Sequence, residues 1–198
     1  MSKQVDFFFD VGSPASYLAW TQIGAIARDT GATVAYKPML LGGVFQATGN
    51  ASPATVPAKG AYTFTDFDRF AKRYGVPIQR NPHFPINTLT LMRAITGMQM
   101  RHADRFEAFT QAVFEAIWVK ALNMNDPQVV GGALQAAGYN PADMLALAAD
   151  PEVKARLKTV TDEAIARGVF GAPTMFVGDQ MFWGQDRLDW VKEALAKD

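Results

Sequence analysis

Ser13-Pro14-Ala15-Ser16 has the spacing of a redox Cys-x-x-Cys motif, with a serine at each end. Serine cannot exchange disulfides. At the start of a helix the first backbone N–H groups lack partners and the dipole is positive, so an anion is stabilised there. A serine hydroxyl at that point can donate a hydrogen bond to a thiolate that a ligand brings in. Ser-Pro at a helix start is equally ordinary capping grammar, and locally both readings stand. The second segment is Gly171-Ala172-Pro173-Thr174. A cis X-Pro bond, about 5–6% of such bonds in folded proteins, is usually a positioned feature. A cis Ala172–Pro173 would present the Ala172 backbone to a peptide-like ligand, in the manner of strand addition. A trans proline would only open a strand, and the aromatic-rich run that follows favours cis. The third segment is Trp183-Gly184-Gln185-Asp186-Arg187-Leu188. Gln185 or Asp186 there caps the last helix, or Asp186 and helix N-terminal amides hold an ammonium–carboxylate pair such as an α-amino acid head group.

The composition removes competing chemistries. With no cysteine in 198 residues, thiolate nucleophiles, disulfide exchange, Cys-ligated zinc and Fe–S clusters are excluded. His83 and His102 are the only histidines, too few for a His-rich metal site, and no metal is expected. Lys plus Arg and Asp plus Glu are both 19, so the basic surplus that phosphate neutralisation needs is missing and no nucleic-acid partner is expected. The N-terminal apolar run Phe7-Phe8-Phe9 is closed by Asp10, far short of a signal or membrane segment. A soluble, cytoplasmic protein is expected.

Elements must place these three segments. Val5–Phe9 reads as a short buried strand, Pro14 opens a helix with an apolar face of Tyr17, Leu18, Ile23, Ile26 and Ala27, and Thr33–Tyr36 is a second strand. This is a βαβ unit. Gly42 to Pro57 reads as a long loop. From about residue 57 to 168 helices are the only regular elements expected, with a loop at 78–87, Asp126-Pro127, Asn140-Pro141 and Asp150-Pro151 as cap-plus-proline starts and Asn87 or Thr88 as another cap. Thr174–Val177, the Gly178-Asp179 turn and Gln180–Trp183 form a hairpin before a closing helix. The order βαβ, helical block, ββα is that of an α/β thioredoxin-like fold with an all-helical insertion: residues 1–45 and 165–198 for the thioredoxin-like domain, and 46–164 for the insertion.

The ordered set of motifs resembles the kappa-class glutathione transferase family and, within it, the 2-hydroxychromene-2-carboxylate isomerases. The resemblance runs through Asp10-Val11-Gly12-Ser13-Pro14-Ala15-Ser16-Tyr17, Leu41-Gly42-Gly43-Val44-Phe45 with Gly49-Asn50, and Pro57-Ala58-Lys59-Gly60-Ala61-Tyr62. It continues through Phe114-Glu115-Ala116-Ile117-Trp118, Gly168 to Phe176 and Trp183 to Leu188, nearly the whole chain. It implies that Ser13 is the active-site serine whose hydroxyl meets the glutathione sulfur, and that Ala172 pairs with the cysteinyl part before a cis Pro173. It implies that Trp183, Gly184, Gln185 and Asp186 hold the γ-glutamyl end, and that Asn50 and Lys59 line the same cleft. On the substrate side it points to Gln46, Phe84, Asn87 and Trp118. Gln46 stands where the family carries a lysine, and Ala121–Asn125 replaces a usual acidic stretch.

The function so implied is a glutathione-dependent isomerase interconverting 2-hydroxychromene-2-carboxylate and trans-o-hydroxybenzylidenepyruvate in naphthalene catabolism. A thiolate would add, the substrate would rotate, and the thiolate would leave again. The partners implied are glutathione, a small aromatic acid and a second copy in a homodimer. Two alternatives are a kappa-type transferase that consumes glutathione and a redox-inactive thioredoxin-like binding module.

Overall fold

The structure is a computed structural model in which residues 3–197 are described. The sheet order is β2-β1-β3-β4. Strand β1 (Gln4–Phe9) pairs parallel with β2 (Thr33–Pro38) through helix α1 (Pro14–Thr30). Strand β3 (Thr174–Val177) runs antiparallel to β1, with Phe7 opposite Met175, and β4 (Gln180–Trp183) follows across the two-residue turn at Gly178-Asp179. The element order read from the sequence, βαβ, helical block, ββα, is therefore the order of the thioredoxin-like structure.

Strand alternation divides β1 between two apolar layers. Val5, Phe7 and Phe9 face the larger core, with Tyr17, Leu18 and Ile23 of α1 and Leu188, Val191 and Leu195 of the last helix. Phe8 faces a smaller cluster of Met39, Val44, Val160, Ala164, Val169 and Phe176. Because both faces are covered, the end of the strand, Phe7-Phe8-Phe9, reads as a continuous apolar run. On the second face Arg167 lies over the rings of Phe8 and Phe176 and pairs with Asp6 at 2.6 Å.

The loop expected over Gly42–Pro57 is not one. Residues Leu41–Thr48 form helix α2, followed by a 3-10 turn at Pro53–Thr55. Of the two glycines that suggested a loop, Gly43 sits where α2 presses on a neighbour, since a Cβ there would meet Thr161 at 3.4 Å, while Gly42 faces open space; Val44 is buried in the smaller cluster. Tertiary packing here overrides propensity. Helices α3 (Pro57–Tyr74), α4 (Leu89–Arg101), α5 (Ala103–Trp118), α6 (Pro127–Ala136), α7 (Pro141–Ala149) and α8 (Pro151–Ala166) make the central block. Asp126, Asn140 and Asp150 cap α6, α7 and α8, each followed by proline. Neither Gln185 nor Asp186 caps the last helix. A 3-10 turn at Gln185–Arg187 leads into α9 (Leu188–Ala196), and Arg187 stands at its N-cap without a side-chain bond.

Candidate active site

The chain leaves β1 at Phe9, turns over Asp10–Gly12 and enters α1 at Ser13, which has the extended backbone of an N-cap. Ser13 performs both roles that the local sequence left open. Its oxygen accepts from the Ser16 N–H at 3.1 Å, and its hydroxyl donates to the Ala172 carbonyl at 2.9 Å. The side chain is nearly buried, 5% exposed. The Ala172–Pro173 peptide bond is cis. Among the described residues the Ala172 N–H has no partner, and Ala172 is half-buried.

The Trp183–Asp186 segment is tied to the same junction. The Gly184 N–H donates to the Pro173 carbonyl at 3.0 Å. Trp183, 46% exposed, packs against Phe170 with ring centroids 4.9 Å apart and planes tilted by 53°. A Cβ on Gly171 would lie 2.6 Å from the Trp183 indole nitrogen, so only glycine admits the indole there. Gly184 has φ +101° and ψ 151°, a conformation essentially reserved for glycine. Asp186 is exposed and pairs with Arg187 at 2.7 Å. Asn50 joins this flank, its side-chain amide donating to the Phe170 carbonyl at 2.7 Å.

A second flank reaches the Ser13 turn from the helical block. Trp118 is fully buried and its indole N–H donates to the Val11 carbonyl at 2.7 Å. The expectation that Trp118 lines the substrate cleft is thus corrected: it has no surface to offer and instead braces the turn. Phe84 is half-buried between Phe64 and Trp118, at centroid distances of 6.1 and 6.0 Å. Asn87 is exposed; its backbone N–H donates to the Asn125 side chain at 2.8 Å, and its own side chain accepts from the Leu89 N–H at 3.2 Å. Gln46 on α2 and Lys59 on α3 are exposed, and no side-chain hydrogen bond or ion pair joins either to the rest of the site among the described residues. The geometry thus joins Ser13 to Ala172 and Pro173 to Gly184 directly, and ties Trp183 and Asn50 to the same segment through Phe170. Gln185 is buried behind them.

Pattern reading passed over the groups that hold this constellation. Asp10, read only as the acid that ends a strand, is 1% exposed. Its carboxylate accepts from the Gly12 N–H at 2.9 Å, the Leu41 N–H at 2.9 Å and the Thr88 hydroxyl at 3.1 Å. Burial pushes this carboxyl above its ordinary range, against those three hydrogen bonds, which favour the charged form. Tyr74, at the end of α3, donates to the Gln185 carbonyl at 2.8 Å. Burial first, then Asp189 and Asp186, push its phenol up to about 12, with Arg73 acting in the opposite sense. The only signal for either residue was a polar group at an element's end facing an apolar layer, and sequence alone does not say what it meets.

Among the described residues no group of His, Asp and Glu is placed to hold a metal ion, and no helix is long and apolar enough to cross a membrane.

The thioredoxin-like sheet agrees with comparison to known proteins. The DSBA-like thioredoxin domain matches residues 4–196, and the chain belongs to that family. It is 33% identical to a 2-hydroxychromene-2-carboxylate isomerase of Sphingobium xenophagum, over 98% of this chain and 99% of the relative. It is 26% identical to glutathione S-transferase kappa 1 of Homo sapiens, over 100% of this chain and 92% of the relative. A solved 2-hydroxychromene-2-carboxylate isomerase superposes with a TM-score of 0.81 at 32% identity, covering 97% of this chain and 94% of the other.

Proposed function

We propose that the protein is a glutathione-dependent isomerase that interconverts 2-hydroxychromene-2-carboxylate and trans-o-hydroxybenzylidenepyruvate. One observation carries the proposal. A serine hydroxyl stands at the helix start that a redox protein of this fold would give to cysteine, and it is joined to the carbonyl of the residue before cis Pro173. The likeness to isomerases over the whole chain supports the substrate.

The residues present fit glutathione. The open Ala172 N–H suits a tripeptide backbone, and the exposed Asp186 carboxylate beside the first amides of the 3-10 turn suits an ammonium–carboxylate head group. Bound glutathione would supply a thiolate that adds reversibly to a conjugated carbon, permits rotation and leaves unconsumed. Ser13 would donate to the sulfur. Its hydroxyl carries one proton, so that donation takes the proton from the Ala172 carbonyl. Together with the positive end of α1, it would hold the thiol below its free value of about 8.5. Ser13 is therefore a thiolate stabiliser and not an acyl nucleophile, and no histidine partners its oxygen. Trp183, Gly184, Gln185 and Asp186 would fix the γ-glutamyl end, with Asn50 and Lys59 at the cleft edge. Gln46, Phe84 and Asn87 would meet the aromatic acid. By resemblance, the protein acts as a homodimer, and it is taken to be cytoplasmic; residues 1–45 and 165–198 form the thioredoxin-like domain and 46–164 the helical insertion, which lends Asn50 and Lys59 to the glutathione cleft.

A kappa-type transferase is the second reading, favoured by the match to a kappa 1 protein. Turnover of the chromene acid with and without glutathione, with free thiol counted at the end, separates them. Isomerisation that requires glutathione and leaves the thiol count constant supports the proposal. Loss of thiol in step with product supports conjugation, and turnover independent of glutathione overturns both.

A further inference from the structure

Four groups converge on the few residues between β1 and Ser13. The Val11 N–H meets the Met92 sulfur of α4 at 3.4 Å, and the Val11 carbonyl takes the Trp118 indole N–H of α5. A Cβ on Gly12 would lie 2.9 Å from a methyl carbon of Thr88, so the turn sits directly on the N-cap of α4. The fourth group is the Asp10 carboxylate. Its two oxygens accept from Gly12 inside the turn, from Leu41 at the first residue of α2, and from Thr88 at the start of α4. Among the described residues it has no cationic partner. The Asp10 carbonyl also accepts from the Ser13 N–H at 3.0 Å.

Buried polar groups are rarely retained without partners, because each unpaired one costs its lost hydration. Asp10 is satisfied by three donors drawn from three separate elements, each of which carries or adjoins a residue assigned to the site. The turn ends in Ser13, α2 carries Gln46, and Asn87 directly precedes Thr88. We propose that Asp10 is the positioning residue of this site: its carboxylate, through Gly12, Leu41 and Thr88, sets where the Ser13 hydroxyl stands relative to Ala172 and to the two substrate-side elements. It touches no reacting atom. Its effect is on geometry, where a misplacement of about 1 Å can cost about a hundredfold in rate.

This inference rests on the glutathione reading for its effect on rate, so the test includes a measurement that needs no glutathione. Thr88→Val removes one donor to the carboxylate without changing charge or shape, and Thr88→Ser restores the hydroxyl. Asp10→Asn replaces one acceptor oxygen by a donor. Amide hydrogen exchange on the protein alone should speed up at Gly12, Ser13 and Leu41 in Thr88→Val and Asp10→Asn, and return to wild type in Thr88→Ser. With glutathione, Thr88→Val should lower kcat about tenfold or more and raise the bound-thiol pKa, read by ultraviolet thiolate absorbance. Its glutathione dissociation constant should stay within about twofold, since Ala172 and residues 184–186 are untouched. Thr88→Ser should recover both. If Asp10→Asn fails to fold, the threonine pair still decides. Unchanged exchange at those amides in Thr88→Val, or unchanged kcat and thiol pKa with exchange altered, overturns the positioning role. Altered exchange in Thr88→Val, combined with no glutathione binding by the wild-type protein, overturns the glutathione reading and leaves Asp10 holding the turn.

Discussion

The Ser13 hydroxyl donates to the Ala172 carbonyl across 2.9 Å, so residues 159 positions apart share one proton at the centre of the site. The same oxygen caps α1 through the Ser16 N–H. A single atom therefore sets the helix start and its link to the cis-proline segment, which makes Ser13 separable by experiment into a structural part and a chemical part.

Ser13→Ala removes both. Loss of the cap should lower stability by about 1 kcal/mol in a urea titration. Glutathione should still bind, because Ala172 and the 184–186 segment remain. The bound-thiol pKa should rise toward its solution value and activity should fall, recovering in part as pH is raised. An identical thiol pKa and turnover in both proteins would reduce Ser13 to an ordinary cap.

Asp186→Asn should leave the fold intact and weaken glutathione binding about tenfold or more, since a hydrogen bond to a charged group contributes about 1.5–3 kcal/mol. Calorimetric titration reads this directly. An unchanged dissociation constant would mean that Asp186 serves only its pair with Arg187.

Gly184→Ala places a Cβ 2.5 Å from an Asp186 carboxylate oxygen and demands φ +101° of an L-residue. The strain should cost about 1–3 kcal/mol. Glutathione affinity should fall together with the urea midpoint, because the displaced carboxylate is the proposed ammonium partner. A variant with normal affinity would show that the 184–186 geometry does not hold the ligand.

The phenols of Tyr17 and Tyr74 both donate to backbone carbonyls, of Pro77 and Gln185, and both are pushed from 10.0 up to about 12. Burial is the larger cause in each, joined by Glu115 for Tyr17. Between about pH 10 and 12 the unfolded chain has released protons that the folded chain retains. Stability is therefore fully present below this window and falls as pH rises through it. Thermal unfolding followed from neutral pH to pH 12 should show the decline, and Tyr74→Phe should show a shallower one. Parallel curves for the two proteins would remove Tyr74 from the account.

Much of the architecture was present in the one-dimensional pattern, because it depends on local grammar. The caps at Asp126, Asn140 and Asp150 and their prolines act within one turn of helix, so they read correctly from neighbours alone. The apolar run of β1 and the two-residue turn before β4 are similarly local, and with the element order they led to the thioredoxin-like fold. Ser13, Ala172 and Asp186 stood out for where they fall in that order: at a helix start, before a proline and at the turn into the last helix.

Tertiary structure decided what each of those residues meets. Helix α2 exists although its glycines argue for a loop, because Val44 packs into the smaller core and the Leu41 N–H finds Asp10. Trp118, a substrate-side candidate by resemblance, is fully buried, with its indole N–H satisfying the Val11 carbonyl. Asp10 itself was invisible as more than a strand end, since its donors come from positions 12, 41 and 88. Hydrogen bonds between distant segments leave no periodic trace in a sequence. They are set only when the packed layers bring those segments together and exclude the water that would otherwise satisfy them.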